Sequence, residues 1–214
     1  MTEPVKTRAY RSPVREAQAA ATRRRILTAT RDLLRRQGYA ATSVAQVARR
    51  ARVSVETVYA SVGRKPELAL AVVDLLLAGA DETVPSEQRD YVAAVRAAQG
   101  AVGKLETYAA AMALLIPQIA PLVQALVRAG EDDPACRAAA TRLEERRAAN
   151  MRLFAAELRA TGELRDDLDD DTVADLIWST NAVEYYLLLE RRGRTAEDYG
   201  RLLTELWSRT LLAP

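Results

Sequence analysis

Apolar residues at positions 44, 47, 48 and 51 recur at the i, i+3, i+4, i+7 spacing of one buried helical face, in a segment of only about two turns. Thr42 and Ser43 stand before it as caps, and Arg52-Val53 leave space for nothing longer than a tight turn. Ser54 then caps a second short helix, Val55 to about Ala60, which turns Val58 inward. Two short helices joined by a turn, the second polar outside and held by one aliphatic, make a helix-turn-helix. Upstream, Ser12-Pro13 reads as an N-cap followed by a proline at the first helical position, and Gly38 as the C-cap of the helix so begun. That helix runs to about Gln37 with Ile26, Leu27, Thr30, Leu33 and Leu34 on its inner side.

The rest of the chain is written in the same alphabet. Ala, Leu and Arg abound, while Gly (9) and Pro (8) are sparse across 214 residues, which predicts an all-α fold of about nine or ten helices. Pro66 opens a helix through about Gly79. Further helices are predicted at about 87–99, 102–115, 117–129, 134–161, 170–191 and 195–212, punctuated by Pro117, Gly130, Pro134, Gly162 and Gly193. Four parts follow: a disordered basic arm at 1–11, a helix-turn-helix domain at 12–64, a linking helix at 65–79 and a helical body at 80–214.

The charge is unevenly spread. Residues 1–65 hold 15 Lys and Arg against 4 acids, a balance of +11, whereas the remainder holds 16 against 25, a balance of −9. A basic head on an acidic body suits a nucleic-acid partner, although a solvated arginine face carries the same charge. A major groove about 12 Å wide admits one helix, and the preceding helix must brace it. The small Ala48 and Ala51 allow that crossing, and the Ser and Thr at both helix starts offer hydroxyls to phosphates.

Other chemistries are disfavoured. The chain has no histidine and one cysteine, which removes the commonest general base and the usual zinc ligand sets; no cofactor or metal is expected. Cys136 cannot form an internal disulfide, which fits a reducing compartment, the cytoplasm by default. No apolar run approaches the roughly 18 residues of a membrane helix, and Met1–Pro13 has no apolar stretch behind its basic residues, so neither a membrane partner nor a secretory signal is expected. The acidic run at 166–171 lacks the glycine and terminal glutamate of a calcium loop and reads as acids complementing a helix N-terminus. Cys136 would need a lowered pKa to sense redox, and no resolving cysteine accompanies it.

Gly38-Tyr39-Ala40-Ala41-Thr42-Ser43-Val44, Val47-Ala48, Val53-Ser54, Thr57-Val58-Tyr59 and Lys65-Pro66-Glu67-Leu68 together resemble the signature of TetR-family repressors, over about residues 15–75. The resemblance implies a ligand-responsive, homodimeric regulator that binds double-stranded DNA at a palindromic operator and is released by a small effector. It implies phosphate contacts from Thr42 and Ser43, and base-edge positions at Val55, Glu56 and Thr57. It implies backbone or groove contacts from Tyr59 and Lys65, with Arg23, Arg24, Arg8 and Arg11 adding more. Ser54, at the start of the reading helix, joins this set. Arg52 departs from the family's turn glycine, so a non-glycine residue is expected in a left-handed conformation. Ser61 and Val62 depart from the usual His/Tyr and Phe.

For the body, the resemblance implies an effector pocket and a dimer interface through helices at about 134–161 and 170–191. Leu143, Asn150, Met151, Phe154 and Leu158 share one side of the first, and the second is apolar nearly all round, which a four-helix bundle across a two-fold axis would bury. Tyr91, Tyr108, Met112, Gln118, Asn150, Phe154, Trp178, Asn181 and Tyr185 are the candidate pocket residues, a set that suits an apolar or aromatic effector and equally suits core packing. Two alternatives stay open: a helical small-molecule-binding protein or carboxylate-dependent enzyme with no DNA role, and a helix-turn-helix protein without effector response.

Overall fold

The computed structural model describes residues 13–79 and 84–213; the basic arm, with Arg8, Arg11 and the Ser12 cap, lies outside the described residues. Among the described residues every extended element is a helix: α1 (Pro13–Ala41), α2 (Val44–Ala51), α3 (Val55–Ser61), α4 (Lys65–Ala78), α5 (Asp90–Ala97), α6 (Gly100–Ala129), α7 (Pro134–Arg159), α8 (Asp170–Thr180), α9 (Val183–Glu190) and α10 (Ala196–Leu211). A single 3₁₀ turn (Ser86–Gln88) precedes α5.

The head is α1–α3. Gly38 interrupts α1 at φ 75°, ψ 175°, so the last turn swings away from the helix axis and delivers the chain to α2. Ile26, Ala29, Val47, Ala48, Ala51 and Val58 form a small core of their own, which Leu68 of α4 completes. Ala69, Val72 and Val73 of α4 face the other way, into the larger core of the body. One helix therefore belongs to both cores.

Three boundaries differ from those the sequence pattern predicts. The helices expected at 102–115 and 117–129 are one, α6, which passes through Pro117 and Pro121. Each proline deletes one ladder hydrogen bond, but α6 is the central helix of the body, packed by α1, α4, α5, α7, α9 and α10, and that packing outweighs the local loss. Unbroken, α6 is the one described helix long and apolar enough to cross a membrane, contrary to the expectation that no such run exists. Ile116, Ile119 and Leu126 are buried against its neighbours, while Val102, Leu114 and Val127 stand exposed.

The helix expected at 170–191 is two. Asn181, at φ −87°, ψ 9°, ends α8, and Ala182 is extended before α9 begins. The break turns the Asn181 side chain into the core, where it finds three partners. Thirdly, the helix expected at 87–99 is shorter, its first turn being the 3₁₀ segment.

Candidate nucleic-acid interface and cavity

In the head, Ser43 caps α2 with a reciprocal box: its Oγ accepts from the Gln46 backbone N–H (3.2 Å), and Gln46 Oε1 accepts from the Ser43 N–H (2.8 Å). Arg52 ends α2 at φ 55°, ψ 50°, the left-handed conformation expected from the missing turn glycine. The Val53 N–H reaches back 3.0 Å to the Ala48 carbonyl, which closes the turn. Ser54 caps α3, accepting from the Thr57 N–H at 3.1 Å, with its hydroxyl 3.0 Å from that of Thr57. An ion pair of 2.7 Å between Arg50 and Asp32 pins α2 to α1 and holds the Asp32 carboxyl below its ordinary value.

This geometry sorts the candidate DNA contacts. Ser43, Ser54, Glu56 and Tyr59 are exposed, with Tyr59 at 49% the most exposed large side chain of α3, and Thr57 is half-buried beside them. Val55 packs partly onto the head core, so it supports the reading helix from beneath as much as it faces outward. The Glu56 carboxylate bonds to its own backbone N–H and to Ser54, which lowers its pKa and marks it as a first-turn acid settled on the helix N-terminus.

Thr42 is a correction. It is 3% exposed, and its hydroxyl donates to the Gly38 carbonyl at 2.8 Å, so it secures the α1 kink and cannot meet a phosphate without rearrangement. Arg23 donates to the Ser61 carbonyl at the end of α3, fastening α3 to α1, while Arg24 is exposed. Lys65 lies 4.3 Å above the Tyr39 ring and donates to the Ala40 carbonyl at 3.2 Å, joining the start of α4 to the end of α1.

Beside Lys65 lies Cys136. The Tyr39 hydroxyl is 3.2 Å from its sulfur, and the thiol donates to Asp133 at 3.3 Å. Burial, then the nearby carboxylate, pushes the thiol above its ordinary pKa, the opposite of what a redox sensor needs.

The body holds a cavity of about 130 Å³ that opens to solvent. Of the candidate pocket residues, the fold brings Tyr91, Tyr108, Met112, Asn150, Phe154 and Asn181 to its wall, together with Ile116, Ile119, Val123 and Leu143. Asn181 anchors one side: its Oδ1 accepts from Arg147 (2.6 Å), and its Nδ2 donates to the Tyr108 hydroxyl (2.8 Å) and lies 3.3 Å from Met151 Sδ. Tyr108 also packs on Phe154 (centroids 4.9 Å apart) and Trp207 (5.8 Å), and burial raises its pKa strongly.

Three candidates are not at that wall. Gln118 is exposed and folds its amide onto the Leu114 carbonyl of its own helix at 2.8 Å. Trp178 stacks beneath the Arg147 guanidinium, 5.5 Å away, and Tyr185 packs toward Tyr199 (6.3 Å). All three were chosen as residue types that suit an apolar pocket, which does not say which way a side chain points.

The charged part of the wall went unpredicted. Arg89, Arg96, Arg146 and Arg147 all line the cavity. Arg147 lies on the apolar stripe of α7 beside Leu143 and Asn150, which was a usable signal; Arg89, in the connection before α5, offered none.

The matches with known proteins agree with this arrangement. Residues 26–72 match the family described as bacterial regulatory proteins, tetR family. No curated protein sequence matches. Among solved structures, a TetR transcriptional regulator from Chloroflexus aurantiacus J-10-FL is 20% identical with a TM-score of 0.62, over 92% of this chain and 100% of that one. A Saccharomonospora viridis protein in complex with choline is 17% identical (TM-score 0.65; 90% and 98%). SmeT, solved with triclosan, is 16% identical (TM-score 0.61; 90% and 92%). These likenesses span head and body alike and show a shared fold, and the match at 26–72 falls on the helix-turn-helix and the helices that brace it: over those residues the chain matches the tetR family of bacterial regulatory proteins.

Proposed function

We propose that this chain is a ligand-responsive repressor that binds a palindromic operator as a homodimer and leaves it when a small molecule enters the body cavity. The observation that carries the proposal is the coexistence of two sites bridged by one helix. The head presents α3 with an exposed polar face, and the body holds a mostly apolar cavity lined by a few convergent polar groups. That solved relatives hold choline or triclosan supports a small-molecule occupant. The division is residues 12–64 for DNA, 65–79 for linkage and 80–214 for effector and partner. Leu68, in the head core, is the point where the first two overlap.

Ser43, Ser54, Thr57, Tyr59, Lys65, Arg23 and Arg24 are the proposed DNA-facing set, with Glu56 and Val55 shaping the reading helix. Pairing through α7 and through α8–α9 would cover Leu153, Leu176 and Leu188, which stand 61%, 37% and 51% exposed in the single chain. Two reading heads would then sit about 34–36 Å apart, one turn of duplex. The chain would act in the cytoplasm, without a cofactor and without a membrane.

Fluorescence anisotropy with DNA from the flanks of its own gene, at several salt concentrations, tests this. Arg24→Ala should weaken binding to every sequence and flatten the salt slope, whereas Thr57→Val should change which sequence is preferred. No saturable DNA binding, or an unchanged slope in Arg24→Ala together with Lys65→Ala, would refute it.

A further inference from the structure

The cavity wall is mostly apolar, but its charges are unevenly paired. Arg96 faces Glu157 at 3.0 Å and Arg147 faces Glu144 at 2.7 Å, one carboxylate to each guanidinium. Arg89 and Arg146 share a single carboxylate, Asp74 of α4. Arg89 Nη2 lies 3.1 Å from Asp74 Oδ1; Arg146 Nη1 and Nη2 lie 3.0 and 2.7 Å from Oδ2 and Oδ1, the shorter contact poorly angled for a hydrogen bond. Arg89 is 3% exposed, and its Nε–H has no acceptor among the described residues. Glu87, also at the wall, is exposed, and it offers Arg96 its backbone carbonyl.

Buried donors find acceptors, and here Arg89 Nε and Arg146 Nη2 have none among the described residues. The missing partner is an anion with two acceptor oxygens, which a guanidinium fork engages in bidentate fashion. We propose that the effector is an amphipathic monoanion, a carboxylic acid with an apolar body. Its carboxylate accepts from Arg89 and Arg146, and its body lies against Met112, Ile116 and Phe154. This rests on the proposal that the cavity is the effector site, and it adds a route for the signal. The incoming carboxylate competes with Asp74 for the same two arginines, so binding loosens the hold of the body on α4. A cation such as the choline of the Saccharomonospora viridis relative would instead meet, at this point of the wall, two guanidiniums beside one carboxylate.

The test is calorimetric titration of the full-length protein at pH 7.5 with decanoate, 1-decanol, decylamine, 2-naphthoate and 2-naphthol. At least one acid should bind tenfold or more tightly than its alcohol, and the amine should bind least. Arg89→Gln should lose at least tenfold in acid affinity while leaving alcohol affinity within about twofold, a loss of the size expected for one charge-assisted hydrogen bond. Asp74→Asn, which removes the competing carboxylate, should tighten the acid. Circular dichroism melts check folding, and Arg146→Gln, at a half-exposed position, substitutes should Arg89→Gln fail to fold. An alcohol or amine that binds as tightly as its acid, an Arg89→Gln protein with full acid affinity, or no acid binding up to 1 mM would overturn the proposal. DNA binding is measured separately. A protein that binds acids but no DNA sinks the repressor proposal and leaves this one standing; one that releases DNA on decanol alone does the reverse.

Discussion

Asn181 ties α6 and α7 to the break between α8 and α9, and Asn181→Ala isolates what it contributes. Three observations set the magnitude. The side chain is 3% exposed, so nothing it bonds to is readily rescued by water. Its Nδ2–H donates to the Tyr108 hydroxyl at 2.8 Å, a neutral bond worth about 1 kcal/mol net. Its Oδ1 accepts from Arg147 at 2.6 Å, a charged bond worth about 1.5–3 kcal/mol, at the lower end here because Arg147 keeps Glu144 and the Trp178 carbonyl. The sum is about 2.5 kcal/mol. For a chain of 214 residues, at about 2–4 °C per kcal/mol, that lowers the melting temperature by about 5–10 °C. Differential scanning calorimetry at fixed protomer concentration reads it, since pairing makes the melt concentration-dependent. Tyr108→Phe alone should cost about 1 kcal/mol, and the double variant should fall short of the sum by about the same amount, because the shared bond is removed once. A melt within 1 °C of the parent, or strict additivity, would refute the assignment of Asn181 as the tie between α6, α7 and the α8–α9 break.

Arg52→Gly should stabilise the head by about 0.5–1 kcal/mol, because Arg52 holds φ 55° where glycine has no Cβ penalty; a lower denaturation midpoint would contradict this. Gly200→Ala should cost about 1–3 kcal/mol, since its new Cβ would sit 2.9 Å from the Ala113 Cβ where α10 crosses α6, and Ala113→Gly in the same chain should recover part of the loss. Acid should unfold the protein through its helix caps. The carboxyl of Asp133 is held below the ordinary 3.8 by the Ala135 N–H, that of Asp169 by Thr172 and that of Asp198 by the Thr195 N–H. A depressed folded-state pKa gives stability that is present above the unfolded value and lost as pH falls through the folded one, so the melting temperature should hold above about pH 5 and drop below pH 4. Asp169→Asn should flatten that drop.

How much of this was legible in the sequence depended on whether a residue's neighbours were close in the chain. Ser43, Arg52 and Ser54 act within four residues of themselves, so caps and turn were readable from local spacing, and the left-handed Arg52 followed from the absence of glycine alone. Gly38 was likewise read correctly as the end of α1's regular turns. Pro117 misled because a proline signals a break by local rules, while the six helices around α6 act over long range. Asn181 misled in the opposite sense. Its apolar surroundings look like one continuous helix until Arg147 and Tyr108, 34 and 73 residues away, draw its amide inward. Thr42 was assigned outward on its place at a helix start, and only the Gly38 kink explains why its hydroxyl turns in. The Asp74 cluster has members 15 and 72 residues apart, a pairing that no periodicity encodes.

The position of Asp74 also bears on how two sites could speak to each other. Coupling requires that the effector bind two arrangements of the protein unequally. α4 is the element that can have two, because its faces answer to different cores: Leu68 to the head, Ala69, Val72 and Val73 to the body. Apolar contacts of this kind are non-directional and tolerate a small slide of a helix. The ion pairs do not. Glu67 is held by Arg142 at 3.4 Å and Asp74 by Arg146 at 2.7 Å, and these two anchors, both on α7, fix where along the body α4 sits. The Glu67–Arg142 pair is largely exposed and weak, so most of the positional control falls on the half-buried Asp74. Leu68 lies six residues from Asp74, about 9 Å along the helix. If the cavity is the effector site, a shift permitted at Asp74 would be carried as a rigid displacement into the core against which Val58 seats the reading helix, and the cavity would reach the proposed DNA-facing surface through one carboxylate and less than two turns of helix.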